Sequence, residues 1–175
     1  GQEPDDGQGV GHLWCVDVTK KPANKEKDVS IVKDELDPKA AANKDSALVW
    51  HFGGKLPKPN ADGRNFDYGR TLTTACVHDG LVYASELAGY LHCLDAKTGK
   101  LQWTYDLNEG TWCSPYHVDG KVLIGTDSGE LYVFKAGRAK PTPRKIPVGQ
   151  PVKVPPVVSN GVLYLNGDTY LYAIK

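Results

Sequence analysis

Three stretches decide the fold: Asp79-Gly80-Leu81-Val82-Tyr83-Ala84, Asp119-Gly120-Lys121-Val122-Leu123-Ile124 and Asn160-Gly161-Val162-Leu163-Tyr164-Leu165. Their glycines stand 40 and 41 residues apart. Each stretch is followed by a second turn and a second apolar run: Gly89-Tyr90-Leu91-His92-Cys93-Leu94, Gly129-Glu130-Leu131-Tyr132-Val133-Phe134 and Thr169-Tyr170-Leu171-Tyr172-Ala173-Ile174. Leu91, Leu131 and Leu171 recur every 40 residues, and Gly11-His12-Leu13-Trp14-Cys15-Val16-Asp17 repeats the second run upstream. Asx-Gly between apolar runs is the strongest short hairpin signal, because a type I′ turn needs positive φ at both central residues.

Working outward, each unit reads as a β-meander of strands A to D. The first complete unit has A at Thr73–His78, B at Leu81–Ser85, C at Tyr90–Asp95 and D at Leu101–Tyr105. The next has A at Cys113–Val118, B at Lys121–Thr126, C at Glu130–Lys135 and a weaker D at Arg144–Val148. The last has A at Val154–Ser159, B at Val162–Asn166 and C at Tyr170–Ile174. No stretch of ten residues carries a helical apolar period. Four short strands per forty-odd residues predict an all-β chain, a β-propeller of about four partial blades built from four-stranded antiparallel meanders. The blade segments expected are 9–52, 70–107, 111–149 and 151–175. A polar insertion at 20–46, with a possible short helix near Pro38–Asn43, separates strand C of the first blade from its strand D at Ala47–Phe52. Insertions of this kind are exposed loops and can serve as partner-binding loops.

Composition bounds the function. The chain has 175 residues, with 21 Lys+Arg balancing 21 Asp+Glu. The charge balance argues against a nucleic-acid or anionic-membrane binder. No apolar run reaches the ~18 residues of a membrane-spanning helix. The chain lacks Met and is expected to be a processed product or a piece of a longer polypeptide. Cys15, Cys76, Cys93 and Cys113 form no CxxC pair and are expected to be mostly buried small apolar residues.

Cys93-Leu94-Asp95-Ala96-Lys97-Thr98-Gly99-Lys100-Leu101-Gln102-Trp103 resembles the tryptophan-docking motif of PQQ-type β-propellers, Ala-x-Asp-x-x-Thr-Gly-x-x-x-Trp, with Cys93 in place of Ala. The resemblance implies that Asp95 and Thr98 hold the C–D turn, that Gly99 supplies its backbone and that Trp103 wedges between blades. Trp50 holds the equivalent docking position in the first unit. Such propellers usually have seven or eight blades, so the resemblance implies the C-terminal half of a larger wheel. Its open sheet edges would then be covered by the rest of the propeller, another copy or a protein partner.

The resemblance implies no catalytic, cofactor-binding or metal residue at any matched position. In quinoprotein dehydrogenases of this fold, PQQ sits on Ca²⁺ and a vicinal Cys–Cys is common, and this chain has no such pair. The reading is a non-catalytic protein-binding or scaffold module, similar in repeat type to the periplasmic lipoprotein of the outer-membrane β-barrel assembly machinery. The family implies a periplasmic or otherwise extracytoplasmic place. The alternatives are the C-terminal part of a PQQ-dependent dehydrogenase and a structural subunit of a larger assembly.

The remaining polar candidates read as structure. His78 and His117 end A strands, and His12 and His92 are placed in one repeat slot at the start of strand C; repeated histidines are expected to be structural or exposed. Asp5-Asp6, and Asp127 near Glu130, lack Ca²⁺-loop spacing. The Gly7–Gly11 cluster lacks the Lys-Ser/Thr of a phosphate loop. Trp14, Trp103, Trp112, Tyr83, Tyr90, Tyr132, Tyr164 and Tyr172 are expected on strands, mostly as core or inter-blade filling.

Overall fold

The three Asx-Gly pairs adopt the turn their chemistry favours. Asp79, Asp119 and Asn160 have φ of 47°, 48° and 51°, and Gly80, Gly120 and Gly161 have φ of 70°, 67° and 74°. Both central residues are left-handed, which matches the twist of the strands they join. A computed structural model describes residues 9–20 and 47–175. The insertion expected at 20–46 therefore lies outside the described residues except for its first residue, as do the possible helix at Pro38–Asn43, Asp5-Asp6 and Gly7-Gln8.

Thirteen strands and no helix occur among the described residues. They are β1 (His12–Val16), β2 (Leu48–Gly53), β3 (Cys76–His78), β4 (Leu81–Ser85), β5 (Tyr90–Asp95), β6 (Leu101–Asp106), β7 (Tyr116–Val118), β8 (Lys121–Gly125), β9 (Glu130–Lys135), β10 (Arg144–Pro147), β11 (Val157–Ser159), β12 (Val162–Asn166) and β13 (Leu171–Ile174). They pair antiparallel in chain order as β1-β2, β3-β4-β5-β6, β7-β8-β9-β10 and β11-β12-β13. This is the architecture of a partial β-propeller.

The chain divides into two compact units. The first holds Arg70–Ala96 and Lys100–Lys175, and the second holds Gly9–Gly69 with the turn tip Lys97–Gly99. In the first unit, sheets pack face against face. One core joins Tyr83, Cys93 and Trp103 of the β3–β6 sheet to Ile124, Tyr132 and Phe134 of the β7–β10 sheet. The opposite face of the latter sheet contributes Leu123 and Leu131 to a core with Val152 and Leu165. Residues pointing both ways from β8 are thus buried, whereas β13 is largely exposed. A strand covered on both faces tolerates a continuous apolar run instead of strict alternation.

The A strands begin later than the sequence suggests. Thr71 and Thr111 hydroxyls accept from the Thr73 and Cys113 amides at 3.0 Å each. The Thr111 hydroxyl donates to the Gly125 carbonyl at 2.6 Å, and the Thr73 hydroxyl donates to the Ser85 carbonyl at 3.1 Å. Side-chain bonds there replace ladder bonds. Pro115, Pro155 and Pro156 lack amide donors altogether.

Two further expectations are corrected. His12 lies opposite Gly53 as Tyr90 lies opposite Asp106, and Trp14 lies opposite His51 as His92 lies opposite Thr104. The repeat partner of His92 is therefore Trp14, and His12 corresponds to Tyr90. Trp112 lies on no strand and is 48% exposed, and Trp14 and Tyr164 are exposed too. Tyr83, Trp103 and Tyr132 are buried as expected.

Candidate protein-interaction site

The best-developed contacts lie where consecutive sheets of the first unit meet. β6 carries Trp103 inward, 4% exposed, with its ring stacked on Phe134 at 6.0 Å and 21°. Its indole N–H donates to the Gly137 carbonyl at 3.0 Å. The Gly137 amide donates to the Tyr83 hydroxyl at 2.9 Å. Gly137, in the segment that follows β9, is thereby held through both its amide and its carbonyl. Burial, above all, pushes the Tyr83 phenol up to about 12. The Asp95 carboxylate takes an ion pair from Arg138 at 2.8 Å. The Asp95 amide donates to the Lys100 carbonyl at 2.9 Å, closing the C–D turn.

In the second unit, Gly99 has φ +69°, and a Cβ there would lie 2.7 Å from the Trp50 ring. Trp50 is 9% exposed. Of the motif residues Asp95, Thr98, Gly99, Trp103 and Trp50, the structure thus sets Trp103 and Asp95 against the following sheet and Trp50 against Gly99.

Polar pairs that sequence reasoning missed complete this frame. Glu86 and His92 are fully buried and share a 2.6 Å hydrogen bond between Oε1 and Nε2; His92 Nδ1 lies 3.0 Å from the Thr104 hydroxyl. The available signal was a departure from the repeat: Thr126 and Gly167 stand in the slot of Glu86, and Tyr132 and Tyr172 in that of His92. The His78 and His117 rings stack at 3.5 Å and 18°. Burial, then His78, lowers the His117 pKa. In the second unit, burial and then His12 lower His51 to about 4.

Cys93 and Cys113 are buried, and Cys15 and Cys76 are half-buried. Burial raises Cys93 and Cys113 to about 11 each, so neither forms appreciable thiolate near neutrality. Among the described residues, no group of three His, Cys, Asp or Glu side chains converges as a metal site. Burial above all raises the Asp127 carboxyl.

The β11–β13 sheet is the most exposed of the first unit. β13 pairs with β12 on one side, and no described strand occupies the place that β6 and β10 fill beside β5 and β9. Tyr170, Leu171 and Ile174 are 64%, 66% and 49% exposed. Beside them an open cleft of about 310 Å³ is lined mainly by Val118, Leu123, Val133, Val158, Leu163 and Ile174, with Asp119 and Lys121 also on its wall. The same cleft occurs one repeat earlier at about 140 Å³, where Ala136 and Gly137 supply part of the wall. His78, Tyr83 and His117 there correspond to Val118, Leu123 and Val158 here. The later cleft is larger and more apolar.

Comparison with known proteins identifies what the chain resembles. A family model described as outer membrane protein assembly factor BamB matches residues 37–142. The crystal structure of BamB from Moraxella catarrhalis is similar at a TM-score of 0.53 and 19% identity, over 70% of this chain and 34% of that one. A quinohemoprotein alcohol dehydrogenase from Pseudomonas putida HK5 is similar at 0.49 and 20%, over 66% of this chain and 18% of that one. The quinohemoprotein alcohol dehydrogenase of Comamonas testosteroni gives 0.47 and 23%, over 59% and 18%. No curated protein matches the chain. The chain spans about a third of the length of the Moraxella protein.

Proposed function

We propose a function from one premise: this chain belongs to the family of PQQ-type β-propellers described as outer membrane protein assembly factor BamB. Its role is that of a non-catalytic protein-binding scaffold, working outside the bacterial cytoplasm in the assembly of outer-membrane proteins. Trp103 and Trp50 act as docking residues that lock neighbouring repeats, with Asp95, Thr98 and Gly99 shaping the turn they pack on. The blade segments are 9–52, 70–107, 111–149 and 151–175. The bound partner, whether further propeller or another chain, adds a strand to β13 and fills the adjoining cleft.

The observation that carries this reading is the outer edge of β13, which no described strand pairs, beside exposed Tyr170, Leu171 and Ile174. Edge strands present unpaired N–H and C=O groups, so strand addition supplies main-chain bonds and the apolar side chains supply selectivity.

The test places a photo-crosslinking amino acid at Leu171 and, as a control, at exposed Lys58 in the protein expressed in its own host. A discrete protein adduct at Leu171 that is absent at Lys58 supports the reading. No adduct at Leu171, together with PQQ- and Ca²⁺-dependent oxidation of alcohols by the purified protein, overturns it in favour of a dehydrogenase.

A further inference from the structure

β1 and β2 carry three rings on one face: His12, Trp14 and His51. Trp14 lies directly opposite His51, and His12 opposite Gly53, so the two histidines are diagonal neighbours across the pair. Nδ1 of His12 stands 2.8 Å from Nε2 of His51. The two rings are 5.1 Å apart and tilted by 31°. The Trp14 indole is 4.4 Å from the His51 ring and 5.8 Å from the His12 ring. Trp14 is 41% exposed, so the cluster opens to solvent.

We propose that His12 and His51 chelate a divalent transition-metal ion through these two nitrogens, with Cu²⁺ preferred over Ni²⁺ and Zn²⁺. Imidazole nitrogens bind such ions at about 2.0–2.1 Å. Two ligands at a right angle then lie about 2.9 Å apart, and two at a tetrahedral angle about 3.4 Å apart. The observed separation falls close to the right-angled case, the geometry of square-planar Cu²⁺ and Ni²⁺. The affinity order of nitrogen sites also places Cu²⁺ first. On binding, the proton shared between the two nitrogens moves to the outer nitrogen of its own ring. Both imidazoles stay neutral, and nothing is oxidised or reduced. No third His, Cys, Asp or Glu joins them among the described residues.

The other histidine pair supplies the contrast. His78 and His117 lie face to face at 3.5 Å and 18°. An ion cannot sit in both ring planes of a stacked pair, so the same residue type there does not chelate.

Trp14 makes the site visible, because Cu²⁺ quenches a neighbouring indole. The untagged chain is titrated with Cu²⁺ at neutral pH, with binding followed by calorimetry and by tryptophan fluorescence. The expected result is one equivalent bound with saturable quenching. Loss of either ligand, in His12→Ala or His51→Gln, should weaken binding at least about tenfold, since even an outer-sphere change costs 10- to 100-fold. Trp14→Phe should retain binding and lose most of the quenching. His78→Ala combined with His117→Ala should change neither. Far-UV circular dichroism confirms that each variant is folded, and either ligand variant alone suffices as the test. Undiminished Cu²⁺ affinity in a folded His12→Ala or His51→Gln protein, or loss of binding in the His78/His117 variant instead, overturns the proposal.

Discussion

Replacing Trp103 separates ring burial from hydrogen bonding at the junction between two sheets. The side chain is 4% exposed, stacked on Phe134 and tilted 52° to Tyr83 at 6.0 Å. An indole buries roughly 150–250 Å², worth about 4–6 kcal/mol at about 25 cal/mol per Å². Alanine keeps a small part of that, so Trp103→Ala should cost about 3–5 kcal/mol. For a chain of this size, about 2–4 °C per kcal/mol converts this into a fall in Tm of roughly 6–20 °C. Trp103→Phe keeps an aromatic ring in the stack and removes the bond to the Gly137 carbonyl. It should cost about 1–2 kcal/mol. Calorimetry and urea unfolding of the three proteins measure both steps. An alanine variant as stable as the native chain would refute the docking assignment. A phenylalanine variant as damaged as the alanine one would show that the hydrogen bond, rather than ring burial, carries the junction.

Three other perturbations follow from the same contacts. Gly99→Ala meets both a left-handed φ and the Trp50 ring, whereas Gly120→Ala meets a similar φ with nothing within 4 Å; the first should cost clearly more than the roughly 1–2 kcal/mol of left-handed strain expected for the second, and equal losses in urea unfolding would remove the Trp50 contact from the account. Glu86→Ala leaves His92 buried without its carboxylate partner and should cost about 3–5 kcal/mol, read as a lowered urea midpoint at neutral pH. Burial raises the Cys93 and Cys113 thiols to about 11 in the folded chain, above their ordinary value; a folded pKa above the unfolded one means that their stabilisation is complete below about pH 9 and fades as pH rises through about 11. Cys113→Ala should therefore flatten the fall in urea midpoint between pH 9 and 11, and an unchanged slope would contradict the burial assigned to that thiol.

The local chemistry of each repeat was legible from the residues. Strands β4, β5 and β9 fall where the apolar runs place them, because an Asx-Gly turn and its flanking pattern are decided within a few residues. What could not be read locally depended on partners far along the chain. The A strands are shortened by hydroxyls of Thr71 and Thr111, whose bonding is chosen by the backbone they meet. Trp14, Trp112 and Tyr164 resemble core rings by type, yet exposure is set by whether another sheet covers that face.

The sequence by itself determined the meander, its period and its turns, since hairpin geometry is a matter of φ at two residues and alternation over five or six. Tertiary structure alone decided which polar groups meet. Glu86 finds His92 because buried polar groups must be hydrogen-bonded where two strands converge. His12 reaches His51, 39 residues away, only because antiparallel register makes them diagonal neighbours. Asp95 meets Arg138, and Trp103 and Tyr83 grip Gly137, because consecutive sheets pack face against face. Register and sheet packing are collective outcomes of burying apolar surface, and no short stretch of residues contains them.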